Sequence, residues 1–131
     1  MNDELRKLHN DERLLHESPP LQYDEDLAKK LQAELNKKSV TFTESTPLDL
    51  GDAYKIDAKC GRNVFEYTDA TSTDIKAVSK AAAANWASGD TVYDYKTGDM
   101  AKFDAKSQKL YENYTRMLWA SSTKAAFGMI K

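Results

Sequence analysis

Residues 111–131 read YENYTRMLWASSTKAAFGMIK, and this stretch is the most informative one about the fold. It contains two apolar runs, 114–120 and 125–130, which flank the polar residues 121–124. Two short apolar runs around a polar turn are typical of a β-hairpin that is buried in a domain core. The pattern therefore predicts a strand over each run.

The composition indicates one globular domain. The chain has 131 residues, of which 40% are hydrophobic and 31% are charged, and a chain of this length buries roughly two-thirds of the surface that it exposes when unfolded. A net charge of −2 gives no electrostatic basis for nucleic-acid binding. No apolar run approaches the roughly 20 residues of a membrane span, and the polar first residues do not predict a signal peptide. Cys60 is the only cysteine, which excludes an internal disulfide.

The first predicted helix spans residues 3–16. Leu5, Leu8 and Leu15 are spaced to form one apolar stripe along it. Pro19 and the proline that follows it end the helix, because proline lacks a backbone donor and restricts the residue before it.

Three further helices are predicted. The second spans residues 24–38, with acidic residues at its start and lysines at its end, as the helix dipole favours. Its apolar stripe consists of Leu27, Leu31 and Leu35. The third begins at a capping box over residues 71–74. Its apolar stripe consists of Ile75, Val78, Ala82 and Trp86. A turn at 96–99 then precedes a short helix over 103–111.

Between the second and third helices, the sequence predicts little regular structure. Residues 39–59 are rich in threonine and serine, which favours a long surface connection with a short strand or turn near 52–56. Residues 60–68 favour a strand in which Val64, Phe65 and Tyr67 are partly buried.

Four groups of residues, in order along the chain, resemble the motifs of a known family. They are Leu8-His9-Asn10 with Arg13 and Pro19-Pro20-Leu21; Cys60-Gly61-Arg62-Asn63; Trp86 with Tyr93-Asp94-Tyr95; and Tyr114-Thr115-Arg116-Met117-Leu118-Trp119 with Ser122-Thr123-Lys124 and Gly128. They are similar to the motifs of the CAP superfamily, which includes the cysteine-rich secretory proteins, the insect-venom antigens and the plant pathogenesis-related proteins. The single cysteine resembles the cysteine-poor branch typified by the Golgi-associated plant pathogenesis-related proteins.

The resemblance implies an α+β fold. We expect a single CAP-like domain over residues 1–131, with a small antiparallel sheet between helical layers in an α-β-α sandwich. We also expect this domain to be shortened at its C-terminus, since the family's domain continues into another strand. Unpaired sheet edges attract other strands, so something should cover the edge beside 125–130. We favour self-association or a second polypeptide for this role over a strand from residues 39–59.

The family's recognisable site is a cavity of two His and two Glu that can hold a divalent cation. Carried over by position, the resemblance places the histidines on Glu44 and Asn113 and the glutamates on Arg62 and Gly89. No histidine follows His16, so the imidazole ligands that such a site needs are missing. We therefore expect a degenerate cavity that holds no metal. We also expect Glu44 and Arg62 to pair across it, because an unpaired buried charge is costly.

The other candidate residues have structural alternatives. His9 and His16 are better explained as helix histidines that cap or pack than as metal ligands. Cys60 lies near cationic residues that can lower a thiol pKa, but no base lies near it in sequence, so a structural thiol is favoured over a nucleophile. The glycosylation sequon that begins at Asn113 is expected to be partly buried and unoccupied. The seven tyrosines and two tryptophans fit a core better than a lipid groove.

These observations favour a non-enzymatic binding protein, with no catalytic or cofactor-binding residue. By resemblance it binds a lipid or sterol, or acts as a secreted effector or immune modulator. The alternatives are a metal-dependent or proteolytic enzyme, and an interaction module that acts with a second chain. Resemblance implies secretion, whereas the lack of disulfides and of a signal peptide favours an intracellular or membrane-peripheral location.

Overall fold

The computed structural model describes residues 1–37, 48–49, 60–67 and 74–130. Its α-helices are α1 (Asn2–Leu15), α2 (Glu25–Lys37), α3 (Ile75–Ala87) and α4 (Ala105–Leu118), and a 3-10 helix (Ser88–Val92) follows α3 directly. Its strands are β1 (Gln22–Tyr23), β2 (Tyr93–Asp94), β3 (Asp99–Met100) and β4 (Lys124–Ala125). Within these ranges, no helix combines the length and hydropathy needed to cross a bilayer. The predicted α+β class, helix-rich with small sheets, is confirmed.

The strands form two small sheets. β1 pairs with β4 in parallel, with Gln22 opposite Lys124, and β2 pairs with β3 antiparallel around the predicted turn. Because α4 runs on to Leu118, the first strand of the predicted C-terminal hairpin is wrong, and the helix predicted over 103–111 is longer than expected. Helical spacing explains the difference. Tyr114 and Met117 are each only 2% exposed and lie three residues apart, so one face of a helix buries both.

α4 also has a strong start signal. Asp104 is its N-cap, and the carboxylate accepts the backbone N–H of Ser107 at 2.8 Å. This bond satisfies one of the free donors at the start of the helix. The same bond, together with the Ser107 hydroxyl, lowers the pKa of Asp104.

The hydrophobic core lies among α1, α3 and α4. Its central members are Leu5, Ala82, Ala83, Trp86 and Met117. The buried face of α1 runs through Leu5, His9 and Arg13, which lie four residues apart. The predicted leucine stripe is therefore wrong at Leu15, which is 75% exposed beside the equally exposed Leu14.

Residues 60–67 contain no strand, although a strand was predicted there. This segment bonds to helices instead of to a neighbouring strand, since the Val64 carbonyl accepts the indole N–H of Trp86 at 3.3 Å. Val64 and Phe65 are half-buried, as expected, whereas Tyr67 is exposed.

Asp74 is the N-cap of α3, and its carboxylate accepts the backbone N–H groups of Lys76 and Ala77. The rest of the predicted capping box lies outside the described residues. So does the predicted connection over 39–59, apart from residues 48 and 49.

After β4, the C-terminal segment 126–130 runs alongside α2. Among the described residues, its backbone pairs with side chains and not with a further strand. The Phe127 N–H donates to Asn2 Oδ1 at 2.7 Å, and the amide of Gln32 both donates to the Met129 carbonyl at 2.8 Å and accepts the Met129 N–H at 3.1 Å. The segment thereby ties the end of the chain to α1 and α2.

Candidate functional site

Arg13, from the first motif, joins distant parts of the chain. Its guanidinium is fully buried and donates only to backbone carbonyls among the described residues. The acceptors are Pro19 at 2.6 Å, Met117 at 3.1 Å, Trp119 at 3.0 Å and Ser122 at 3.1 Å. Burial lowers the pKa of this guanidinium. Since two acceptors lie at the C-terminal end of α4, the positive charge complements the negative end of the helix dipole.

The neighbouring motif residues are also structural. The His9 ring lies 5.7 Å from Trp86 and 5.0 Å from Phe127, centroid to centroid, and its Nδ1 bonds to the Leu5 carbonyl at 2.8 Å. The Asn10 amide donates to the Leu21 carbonyl at 3.1 Å and accepts the Leu21 N–H at 2.7 Å. The interpretation of His9 as a packing histidine fits this geometry.

Hydrogen bonds join the segments of two cavity positions, Asn113 on α4 and Arg62 in residues 60–67. The Asn113 carbonyl accepts the side-chain N–H of Asn63 at 2.9 Å. One turn further along, Arg116 Nη1 donates to the Arg62 carbonyl at 2.6 Å and to Asn63 Oδ1 at 2.7 Å. Gly61 lies so close that a Cβ there would be 2.6 Å from Arg116 Cδ. Arg116, which stands at the signature's Gln position, therefore holds the 61–63 segment against the helix.

Gly89 is also placed against α4, but as a packing residue. It is buried in the 3-10 helix, and a Cβ at this position would lie 2.1 Å from the Leu110 carbonyl oxygen and 2.4 Å from Tyr114 Cβ. At this position, to which the resemblance assigns a glutamate, the backbone lies so close to α4 that no side chain would fit.

Glu44 lies outside the described residues, so its pairing with Arg62 stays a prediction. Arg62 is half-buried and is not without an interaction partner. Burial first, and the positive charge of Arg116 second, lower the pKa of its guanidinium.

An aromatic cluster around Tyr114 was not anticipated. The Tyr114 hydroxyl lies 2.6 Å from the Tyr95 hydroxyl and 3.2 Å from His16 Nε2, and Glu12 Oε2 lies 3.9 Å from the same nitrogen. Tyr95 stacks on His16, and Tyr93 contacts Tyr95 edge to face. Burial and the bond to Tyr95 raise the pKa of Tyr114 far above its usual range. The Tyr93-Asp94-Tyr95 motif was a signal for this cluster, but nothing in sequence linked it to His16.

Cys60 behaves as a structural thiol. It is half-buried, its Sγ donates to the Gly61 carbonyl at 3.5 Å, and burial raises its pKa although Arg116 opposes the shift. The cationic neighbours therefore do not activate it. Over the described ranges, no three His, Cys, Asp or Glu side chains are grouped so that they could hold a metal ion.

Comparison with known proteins agrees with the motifs. The model of the cysteine-rich secretory protein family, CAP, matches residues 6–131, which is almost the whole chain. No curated protein and no solved structure gives a significant match. The match covers the motif residues of α1, the 61–63 segment, Gly89 and α4, and we conclude that the chain belongs to the CAP family.

Proposed function

We propose that this chain is a non-enzymatic CAP domain that binds a lipid or sterol, as part of an effector or modulator role. The non-enzymatic part of this proposal rests on the packing of residues at and around the cavity positions. Gly89 packs on the backbone of α4, and the 61–63 segment is bonded to Asn113 and Arg116. Groups committed to packing in this way are poor candidates for metal ligands or for acid-base chemistry.

An exposed apolar surface supports a lipid ligand. Leu14 is 78% exposed, Leu15 is 75% exposed and Trp119 is 60% exposed. Because Arg13 bonds to the Trp119 carbonyl, the C-terminal ends of α1 and α4 meet, and these three exposed residues all belong to those two helix ends. Apolar side chains grouped on a surface commonly mark an interaction site.

Native mass spectrometry of the purified chain, followed by lipid extraction, tests this proposal. We expect a co-purifying lipid or sterol, and we expect Leu14→Ser with Trp119→Ser to release it. Phe103→Ser is the matched control, since Phe103 is 77% exposed but precedes α4. Retention of the same lipid by the double variant would reject this surface as the site.

The enzyme alternative has a separate test. We expect zinc calorimetry on tag-free protein to show no micromolar site that survives substitution of both His9 and His16. We also expect no hydrolysis of a broad peptide library. Zinc-dependent cleavage that persists in the double histidine variant would favour the enzyme.

One observation favours an interaction module as a second candidate. β4 has a single parallel partner among the described residues, and the apolar segment 126–130 is only half-buried. A partner strand could extend this small sheet. Size-exclusion chromatography with light scattering separates the cases. A dimer or a retained second polypeptide supports the module, whereas a monomer whose 125–130 amides resist exchange rejects it.

A further inference from the structure

Three parts of the chain bring oxygen and nitrogen atoms together around the Tyr114 hydroxyl. Tyr114 lies on α4 and Tyr95 directly follows β2, whereas His16 is the C-cap of α1. Tyr114 Oη lies 2.6 Å from Tyr95 Oη and 3.2 Å from His16 Nε2, and Glu12 Oε2 lies 3.9 Å from that nitrogen. Ligand atoms that share one metal ion at bond lengths of about 2.1 Å lie roughly 3–4 Å apart. The spacing of neighbouring atoms in this group is therefore close to that of metal ligands, and only the two hydroxyls would have to move apart slightly.

Aromatic packing holds these side chains in place. The Tyr95 ring stacks on the His16 ring with centroids 6.3 Å apart, and the Tyr93 ring contacts those of Tyr95 and Tyr114 at 4.8 Å and 5.8 Å. Packing of this kind orients ligand groups before an ion arrives. Tyr114 is 2% exposed whereas Tyr95 is 62% exposed, so the group has a buried side and a side that solvent reaches. An ion can therefore approach past Tyr95 without any opening of the core.

The charges around the Tyr114 hydroxyl favour a cation. Burial and the bond to Tyr95 raise the pKa of Tyr114, and the negative charges of Asp90 and Glu12 add to this shift. Negative charges that hold a proton on an oxygen also attract a metal ion to it, and a bound cation displaces the proton. Two phenolates and the Glu12 carboxylate together carry three negative charges, which match a trivalent ion. Anionic oxygen ligands also prefer hard cations.

We propose that this group of side chains binds ferric iron, with four protein ligands: Glu12, His16, Tyr95 and Tyr114. Each phenol releases its proton to solvent as its oxygen binds the ion, the neutral imidazole adds a nitrogen ligand, and the iron stays in the ferric state. None of the four residues occupies a position that the resemblance assigns to the family's cavity. The site goes beyond the function proposed above because it requires no lipid.

Titration of the full chain with ferric nitrilotriacetate tests the site. A phenolate bound to ferric iron gives a visible charge-transfer band, which neither the chelate nor iron on surface carboxylates gives. We expect the band to saturate at one iron per chain. Tyr95→Phe keeps the stacked ring but removes one phenol oxygen. It should weaken iron binding at least about tenfold, since even changes outside the ligands cost that much, and it should reduce the band.

Tyr111→Phe is the matched control. Tyr111 stacks on Tyr93 in the same aromatic cluster, but its hydroxyl donates to the Gly98 carbonyl at 2.8 Å, away from the proposed ligands. This variant should leave the band and the iron affinity unchanged. Circular dichroism checks that each variant is folded, and Tyr95→Phe decides the matter if Tyr114→Phe does not fold. Absence of a saturable band, or a band that Tyr95→Phe leaves unchanged or that Tyr111→Phe reduces equally, would overturn the proposal.

Discussion

Among single residues, Arg13 has the most unusual environment, a fully buried charge held by four backbone carbonyls. We predict that Arg13→Met lowers the free energy of unfolding by about 3 kcal/mol or more, because it leaves several buried acceptors without donors. Urea unfolding measures this change. The control is Arg6→Met on α1, because the half-buried Arg6 pairs only with the exposed Asp3 among the described ion pairs, and about 0.5 kcal/mol or less is expected. A loss below about 1 kcal/mol for Arg13→Met would show that water replaces the guanidinium.

His9 makes stability depend on pH. Burial lowers its pKa below 6.5, as does the nearby charge of Arg13, although the bond to the Leu5 carbonyl opposes the shift. The His9 side chain therefore binds a proton more readily in the unfolded chain than in the folded chain. This contribution is fully present above pH 6.5 and is lost as the pH falls towards the lowered value.

We predict that the free energy of unfolding falls between pH 7.5 and 5, and that His9→Gln flattens this part of the profile. His16→Gln is the control, because His16 lies at the more exposed end of α1. Urea midpoints at each pH give the comparison. If the pH dependence disappeared in His16→Gln but persisted in His9→Gln, the assignment of this effect to His9 would be rejected.

Among the elements, helices were easier to predict than strands. The helices near 3–16, 24–38 and 75–87 have leucines, alanines or capping residues at helical spacing, and the local pattern suffices. The run 114–118 has residues that suit both a strand and a helix, and contacts with α1 and α3 decide in favour of the helix. The 60–67 segment is held by side chains of α3 and α4, which no local pattern reports. The candidate site was predictable as a set of motif positions, but its packing role was not. Three of the four acceptors of Arg13 lie more than 100 residues away, and the Asn113 acceptor of Asn63 lies 50 residues away.

The contact between the 3-10 helix and α4 gives a prediction at this scale. Gly89→Ala should destabilise the protein by about 1–3 kcal/mol, because the added carbon meets a helix carbonyl that cannot move alone. Gly98→Asn is the control. Gly98 has a φ of 74°, a Cβ there would make only an ordinary contact with the Tyr93 hydroxyl at 3.6 Å, and asparagine tolerates that conformation. Thermal unfolding compares the two, and an equal effect of both would contradict tight packing at Gly89.

For the molecule as a whole, the C-terminal segment is fastened by two side chains, Asn2 and Gln32. We predict that Gln32→Ala speeds hydrogen exchange of the Met129 amide while the Phe127 amide, held by Asn2, changes less. Gln108→Ala is the control, because the Gln108 side chain donates to Glu112 of the same helix at an exposed position. Uniform exchange of 126–130 in both variants would show that the segment is held by its apolar contacts alone.

The Arg13 contacts have a consequence for how the protein is made. α1 leaves the ribosome well before α4, since three of the carbonyls that its arginine binds belong to residues 117, 119 and 122, which are synthesised more than 100 residues later. Contacts between residues so far apart in sequence form slowly, since the chain must first close a long loop. During translation the guanidinium must stay hydrated, and this part of the nascent chain remains open to chaperones and proteases until residue 122 has emerged.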